Sequence, residues 1–120
     1  MAVEQARLDN LGQLIVDLIP NDAGKILLYV EFDDGVIGPS LFYTLGSDLR
    51  YVERPDPLFD ELRALQHVFG PEVRAMELVL LGSNINSSFT YEEEFDHSAD
   101  RLSREDLVLK KHFGHADVKV

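Results

Sequence analysis

The sequence predicts an α+β domain: a mainly antiparallel five-stranded sheet with three helices, in the order α-β-β-β-α-β-β-α. Three observations predict it. Apolar residues recur at helical spacing in well-separated segments, two other segments are nearly unbroken apolar runs of strand length, and Gly- and Asp-containing turn signals divide the remainder.

Leu8, Leu11, Ile15 and Leu18 form the first helical stripe, widened by Leu14 and Ile19, and Pro20 stops the helix. Asn21 to Gly24 make a turn, and the run from Lys25 to Phe32 suits a central strand covered on both faces. Asp33-Asp34-Gly35 carries a hairpin-turn signal into a second strand around Ser40 to Leu45. After Gly46-Ser47-Asp48, the stretch from Leu49 to Glu53 reads as a short third strand with Leu49 and Tyr51 on one face.

Asp56-Pro57 pairs an N-cap acceptor with proline at the first helical position, and Leu58, Leu62, Leu65 and Phe69 follow at helical spacing before Gly70-Pro71. The run from Arg74 to Leu81 is a second central strand, joined by Gly82-Ser83-Asn84 to a fifth. Ser103 to Asp106 fits the capping-box pattern, with Leu102 and Leu107 placed as a hydrophobic staple, and Gly114 closes the third helix. Phe42, Phe59, Phe69 and Phe89 are expected in the core, whereas Tyr29 and Tyr43, if exposed, are candidate binding anchors.

At 120 residues, with no internal repeat or composition break, the chain is expected to form one domain spanning 1–120, with a radius of gyration of about 14 Å. No apolar run approaches the roughly 20 residues needed to span a bilayer. Residues 1–4 include an acid instead of a basic segment before an apolar run, and there is no cysteine to staple the fold in an oxidising compartment. The expected location is the cytoplasm.

The net charge is −11, and it is uneven: residues 1–97 hold 6 basic and 18 acidic side chains, whereas residues 98–120 hold 5 and 4. Such a field repels nucleic acid and anionic membranes and steers basic partners toward the surface. Read as a continuous strand, Phe89 to Asp96 places Phe89, Tyr91, Phe95 and the anomalous Glu93 on one face. Thr90, Glu92, Glu94 and Asp96 fall on the other. Neighbouring like charges on one strand face cost stability, so a basic partner is expected there; a solvated sheet edge kept soluble by charge is the plainer alternative.

No catalytic constellation accompanies these acids. Asp33, Asp34, the acids between 92 and 96 and His97 are hard-cation ligand types, but adjacent acids on a strand point apart and no EF-hand spacing is present. No metal or cofactor is therefore expected. His112 and His115 lack two further zinc ligands and suit a helix C-terminus better. Ser83, Ser87 and Ser88 have no nucleophile-elbow context, and no glycine-rich phosphate loop occurs, so no catalytic residue is assigned.

The helix ending in Ile19-Pro20, the strand from Ile26 to Phe32, Leu41-Phe42-Tyr43, Leu58 to Leu62 and Phe89 to Asp96, in that order, resemble the YezG-like family of bacterial immunity proteins. The resemblance covers most of the chain through short hydrophobic motifs. It departs after the third-helix cap, where the family carries a tryptophan and tyrosines and this chain has Leu107 to Phe113 and no tryptophan. A divergent contact-dependent growth-inhibition immunity protein is an equal description.

The resemblance implies a protein that binds one-to-one to the C-terminal domain of a cognate toxin, often a nuclease, and neutralises it. Expected contacts are Glu92, Glu94 and Asp96 first, Asp33 and Asp34 second, and Glu31 third. The alternatives from other classes are a small acidic metal-dependent hydrolase or nuclease, and a secretion-type chaperone dimerising through an apolar face.

Overall fold

In the computed structural model, which describes residues 2–53 and 55–119, the N-terminal stripe becomes helix α1 (Ala2–Leu18). Leu8, Leu11 and Ile15 are buried on its inner side. The strands are β1 (Ile26–Asp33), β2 (Val36–Leu45), β3 (Asp48–Val52), β4 (Val73–Leu81), β5 (Asn84–Tyr91) and β6 (Val118–Lys119), and the other helices are α2 (Phe59–Phe69) and α3 (Arg101–Phe113). No helix is long and apolar enough to cross a membrane.

The sheet order is β5-β4-β1-β2-β3-β6. Five strands run antiparallel as expected, but the sheet has six strands and is mixed, because β6 pairs parallel to β3 through Leu49 with Val118 and Arg50 with Lys119. A two-residue strand carries no periodicity, so only the backbone pairing reveals it. Strand β2 begins four residues earlier than expected and contains Pro39 opposite Val30. Proline is tolerated because β3 reaches only as far as Leu41 opposite Val52, which leaves the first half of β2 with β1 as its one strand neighbour among the described residues.

The meander turns are two residues long where Leu45 faces Asp48 and Leu81 faces Asn84. Gly46 and Gly82 take φ +62° and +61°, while no described residue other than glycine has positive φ, the sign pattern of type II′ turns.

Strand alternation assigns the two faces. Ile26, Leu28, Val30 and Phe32 of β1, with Met76, Leu78 and Leu80 of β4, pack under α1 and α2 in the larger core. Phe59, Phe69 and Phe89 pack at its margin. The opposite face buries Leu27, Phe42 and Leu49 beneath α3, which contributes Leu109 as its one fully buried side chain among the described residues. Continuous burial along β1 follows from helices on both sides. The Cα radius of gyration is 13.7 Å.

Both later helix starts differ from expectation. Asp56–Leu58 forms a separate 3-10 turn before α2, so Asp56-Pro57 opens that turn without a side-chain cap. Helix α3 is capped three residues earlier than expected: Asp100 is the N-cap, accepting a hydrogen bond from the Ser103 N–H at 2.8 Å. Leu102 and Leu107 are 72% and 65% exposed, and neither acts as a staple. The expected stop at Gly114 is present, with Gly114 in the αL conformation.

Candidate acidic binding site

Strand β5 ends at Tyr91, and Glu92–Glu94 turn into a 3-10 segment. The alternation expected through Asp96 is therefore broken, and Glu92, Glu94 and Asp96 do not form one strand face. The turn accommodates the charge: the Glu94 carboxylate reaches back to the Tyr91 N–H at 3.5 Å, and Glu93 points into solvent where the chain leaves the core. A straight strand would hold alternate acids on one face without any such donor.

What organises this end of the sheet is Arg74. The register of β4 on β5 slips between Val73 and Ala75, making Arg74 the extra residue of a β-bulge. The bulge lets Val73 and Met76 both face the larger core and takes the guanidinium out of it. Arg74 Nε donates to the Phe32 carbonyl at 2.9 Å, and its terminal nitrogens meet Glu92 at 2.6 Å and Asp33 at 3.5 Å. Its guanidinium lies over the Phe95 ring at 4.8 Å, and that of Arg104 lies over the same ring at 4.5 Å.

A cavity of about 830 Å³ opens here between the β1–β2 turn, the end of α2 and the start of β4. Its lining brings together Asp33, Asp34, Glu72 and Glu92, against the two cations Arg63 and Arg74 and with His67 alongside. Asp33 and Glu92 are tied to Arg74 but keep side-chain exposures of 72% and 53%. Asp34 is exposed, as are Glu93 and Glu94 beside the bowl. His97 meets the other Glu92 oxygen at 3.2 Å.

Asp96 lies at the next turn, exposed, with hydrogen bonds from the Ser98 hydroxyl and N–H that hold its carboxyl below the usual range. Glu31 is placed differently from the other expected contacts. Its carboxylate is 13% exposed, faces α3 and is occupied by Arg104 and by the Tyr29 hydroxyl, which donates at 2.6 Å. Burial alone would raise its pKa, but the hydrogen bonds from Arg104 and Tyr29 outweigh that and lower it. Burial and the neighbouring carboxylate push the Tyr29 phenol up. Tyr29 is thus a buried structural residue and no exposed anchor, and the Glu31 carboxylate is engaged within the fold by Arg104 and Tyr29.

Sequence reasoning missed Arg74, Glu72 and the fate of Phe95. The one available signal was an arginine at the head of an apolar strand, which a straight strand would have driven into the core. Among the described residues, no three His, Asp or Glu side chains converge in a metal-holding arrangement. The carboxylates lining the cavity offer charge and hydrogen-bond acceptors, a chemistry suited to engaging cationic groups. No family model matches this chain, and no curated protein is significantly similar to it.

Proposed function

We propose that this chain is an immunity protein that binds a basic toxin domain one-to-one and blocks it stoichiometrically, with the acidic bowl beside Arg74 as its contact surface. The observation that carries this is the convergence of Asp33, Asp34, Glu72 and Glu92 from three separate parts of the chain around one open cavity. The body charge supports it, because a −11 chain attracts a phosphate-binding nuclease surface and competes for the same cations without any chemistry of its own. The resemblance to YezG-like proteins points the same way.

Arg74 serves this function by positioning. It holds Asp33 and Glu92 at fixed places on the rim, so a partner lysine or arginine meets carboxylates whose side-chain entropy is already lost. Asp34, Glu93 and Glu94 remain exposed to supply steering.

The decisive experiment is co-purification with the C-terminal toxin domain encoded beside this chain, read by size-exclusion with light scattering, together with protection of cells expressing that toxin. A one-to-one complex and protected cells are expected. Absence of both a complex at micromolar concentration and protection would sink the proposal.

A further inference from the structure

Strand β5 is the outer strand at one side of the sheet and pairs with β4 alone among the described residues. Which of its backbone groups face outward follows from three contacts. The Glu92 N–H donates inward to the Glu72 carbonyl at 2.8 Å, whereas the Tyr91 N–H meets the Glu94 carboxylate instead. Leu81 and Asn84 bracket a two-residue turn, the position of a hydrogen-bonded pair. Since N–H and C=O groups alternate sides along a strand, Asn84, Asn86, Ser88 and Thr90 bond to β4. Ile85, Ser87 and Phe89 then direct their backbone groups away from the sheet.

This edge lacks the usual protection. Between Gly82 and Tyr91 there is no lysine, no proline and no acid, in a chain that carries 22 acids. The one bulge among the described residues lies at the far end and on β4, at Arg74. On the α1 face, Ile85 is 39% exposed and sits against Gly12, and Val16, one helical turn further along that side of α1, is 45% exposed.

We propose that two copies of this chain pair through β5, antiparallel about a two-fold axis at Ser87, to make one continuous twelve-stranded sheet. In this register Ser87 faces Ser87, and Ile85 of each copy faces Phe89 of the other. All three outward-facing residues thus enter hydrogen-bonded pairs, and the exposed Ile85 of each copy is covered by the partly buried Phe89 of the other. A self-complementary edge of this kind is what a two-fold interface requires.

Charge selects a second copy over a basic partner strand. The edge itself is neutral, so it offers a basic strand no attraction. In the paired register, Glu92 of each copy lies about 17 Å from the axis, and the two acid runs are about 34 Å apart. That separation exceeds the Debye length of about 8 Å at physiological salt. The remaining repulsion between two −11 bodies makes salt favour the dimer. This inference is independent of the toxin proposal, since it concerns the free chain.

The test is sedimentation equilibrium of the free protein across salt, combined with single-cysteine cross-linking, for which the cysteine-free chain is already suited. A dimer is expected whose dissociation constant falls by about tenfold between roughly 0.05 M and 0.5 M salt. Ser87→Cys is expected to form a disulfide-linked dimer much faster than Ser47→Cys in the β2–β3 turn. Ser87→Pro removes only an outward N–H, so it is expected to keep the native circular dichroism and melting point while abolishing the dimer. A protein that stays monomeric at every salt concentration, or a folded Ser87→Pro variant that dimerises like the parent, overturns the inference. Equal cross-linking at positions 47 and 87 overturns it as well.

Discussion

Arg104 on α3 grips Glu31 on β1 with two nitrogens, Nε at 2.8 Å from one carboxylate oxygen and Nη2 at 2.9 Å from the other. This fork-on-fork contact joins a helix to a central strand 73 residues away in sequence. Arg104 also donates to the carbonyls of Asp96 and Ala99, which fixes the loop entering α3. At the other end, the Lys25 ammonium donates to the His112 carbonyl at 2.7 Å, and Lys111 and His112 both meet Glu77. The third helix is thus held by polar contacts at both ends, in addition to the packing of Val108, Leu109 and Phe113 on the smaller apolar cluster.

Breaking that grip should be costly because it strands a charge. Arg104→Ala leaves Glu31 largely covered, with Tyr29 as its remaining hydrogen-bond partner, and the expected loss is about 3 kcal/mol. Replacing both partners with apolar residues of similar volume, Glu31→Leu with Arg104→Met, should recover much of it. Urea unfolding of the single and double variants measures the difference, and a double variant no better than Arg104→Ala would refute the account.

The same pair sets an acid limit on stability. Glu31 has a folded-state pKa below its unfolded value of roughly 4.3. Its contribution is therefore fully present above that pH and is lost as pH falls through the lower folded value. The Glu31→Gln variant should melt below the parent at pH 7, with the gap closing on acidification below about pH 4. A gap that stays constant across that window would show that the carboxylate charge is not what holds the helix.

Phe89 and Phe95 should fail differently. Phe89 packs at the margin of the larger core with its ring 5.1 Å from Phe69, so Phe89→Ala should cost about 3 kcal/mol through lost burial and a cavity. Phe95 lies outside both cores under Arg74 and Arg104, so Phe95→Ala should cost only about 1 to 2 kcal/mol, chiefly cation–π energy. Thermal melts of the two variants compare them directly, and equal losses would mean that Phe95 is a core residue after all.

Partner binding should follow the acids that remain unpaired. Asp34→Lys combined with Glu93→Lys should leave the melting temperature nearly unchanged, slow association with the toxin domain by about tenfold at low salt and flatten its salt dependence. Glu92→Lys is a poorer probe because it faces Arg74 with a like charge and disturbs the bowl itself. Stopped-flow association at two ionic strengths decides the matter: an unchanged rate for the double variant would place the contact surface elsewhere.

The amino-acid sequence by itself determined the helices and strands whose signals are local. The stripe Leu8-Leu11-Ile15 buries as spaced, the runs through Leu28 and Leu78 become central strands, and Gly114 stops α3, because periodicity and stop residues act within a few positions. Only the tertiary structure decided where Phe89 to Asp96 stops being a strand, since that depends on Arg74 bulging from a neighbouring strand to meet Glu92. The same holds for Glu31, which reads as an acid at the end of an apolar run and is claimed by an arginine 73 residues away. Alternation tells which face a side chain occupies, but what lies above that face is set by long-range packing. For a charged residue, that neighbour decides whether the carboxylate holds the fold together or remains open to a partner.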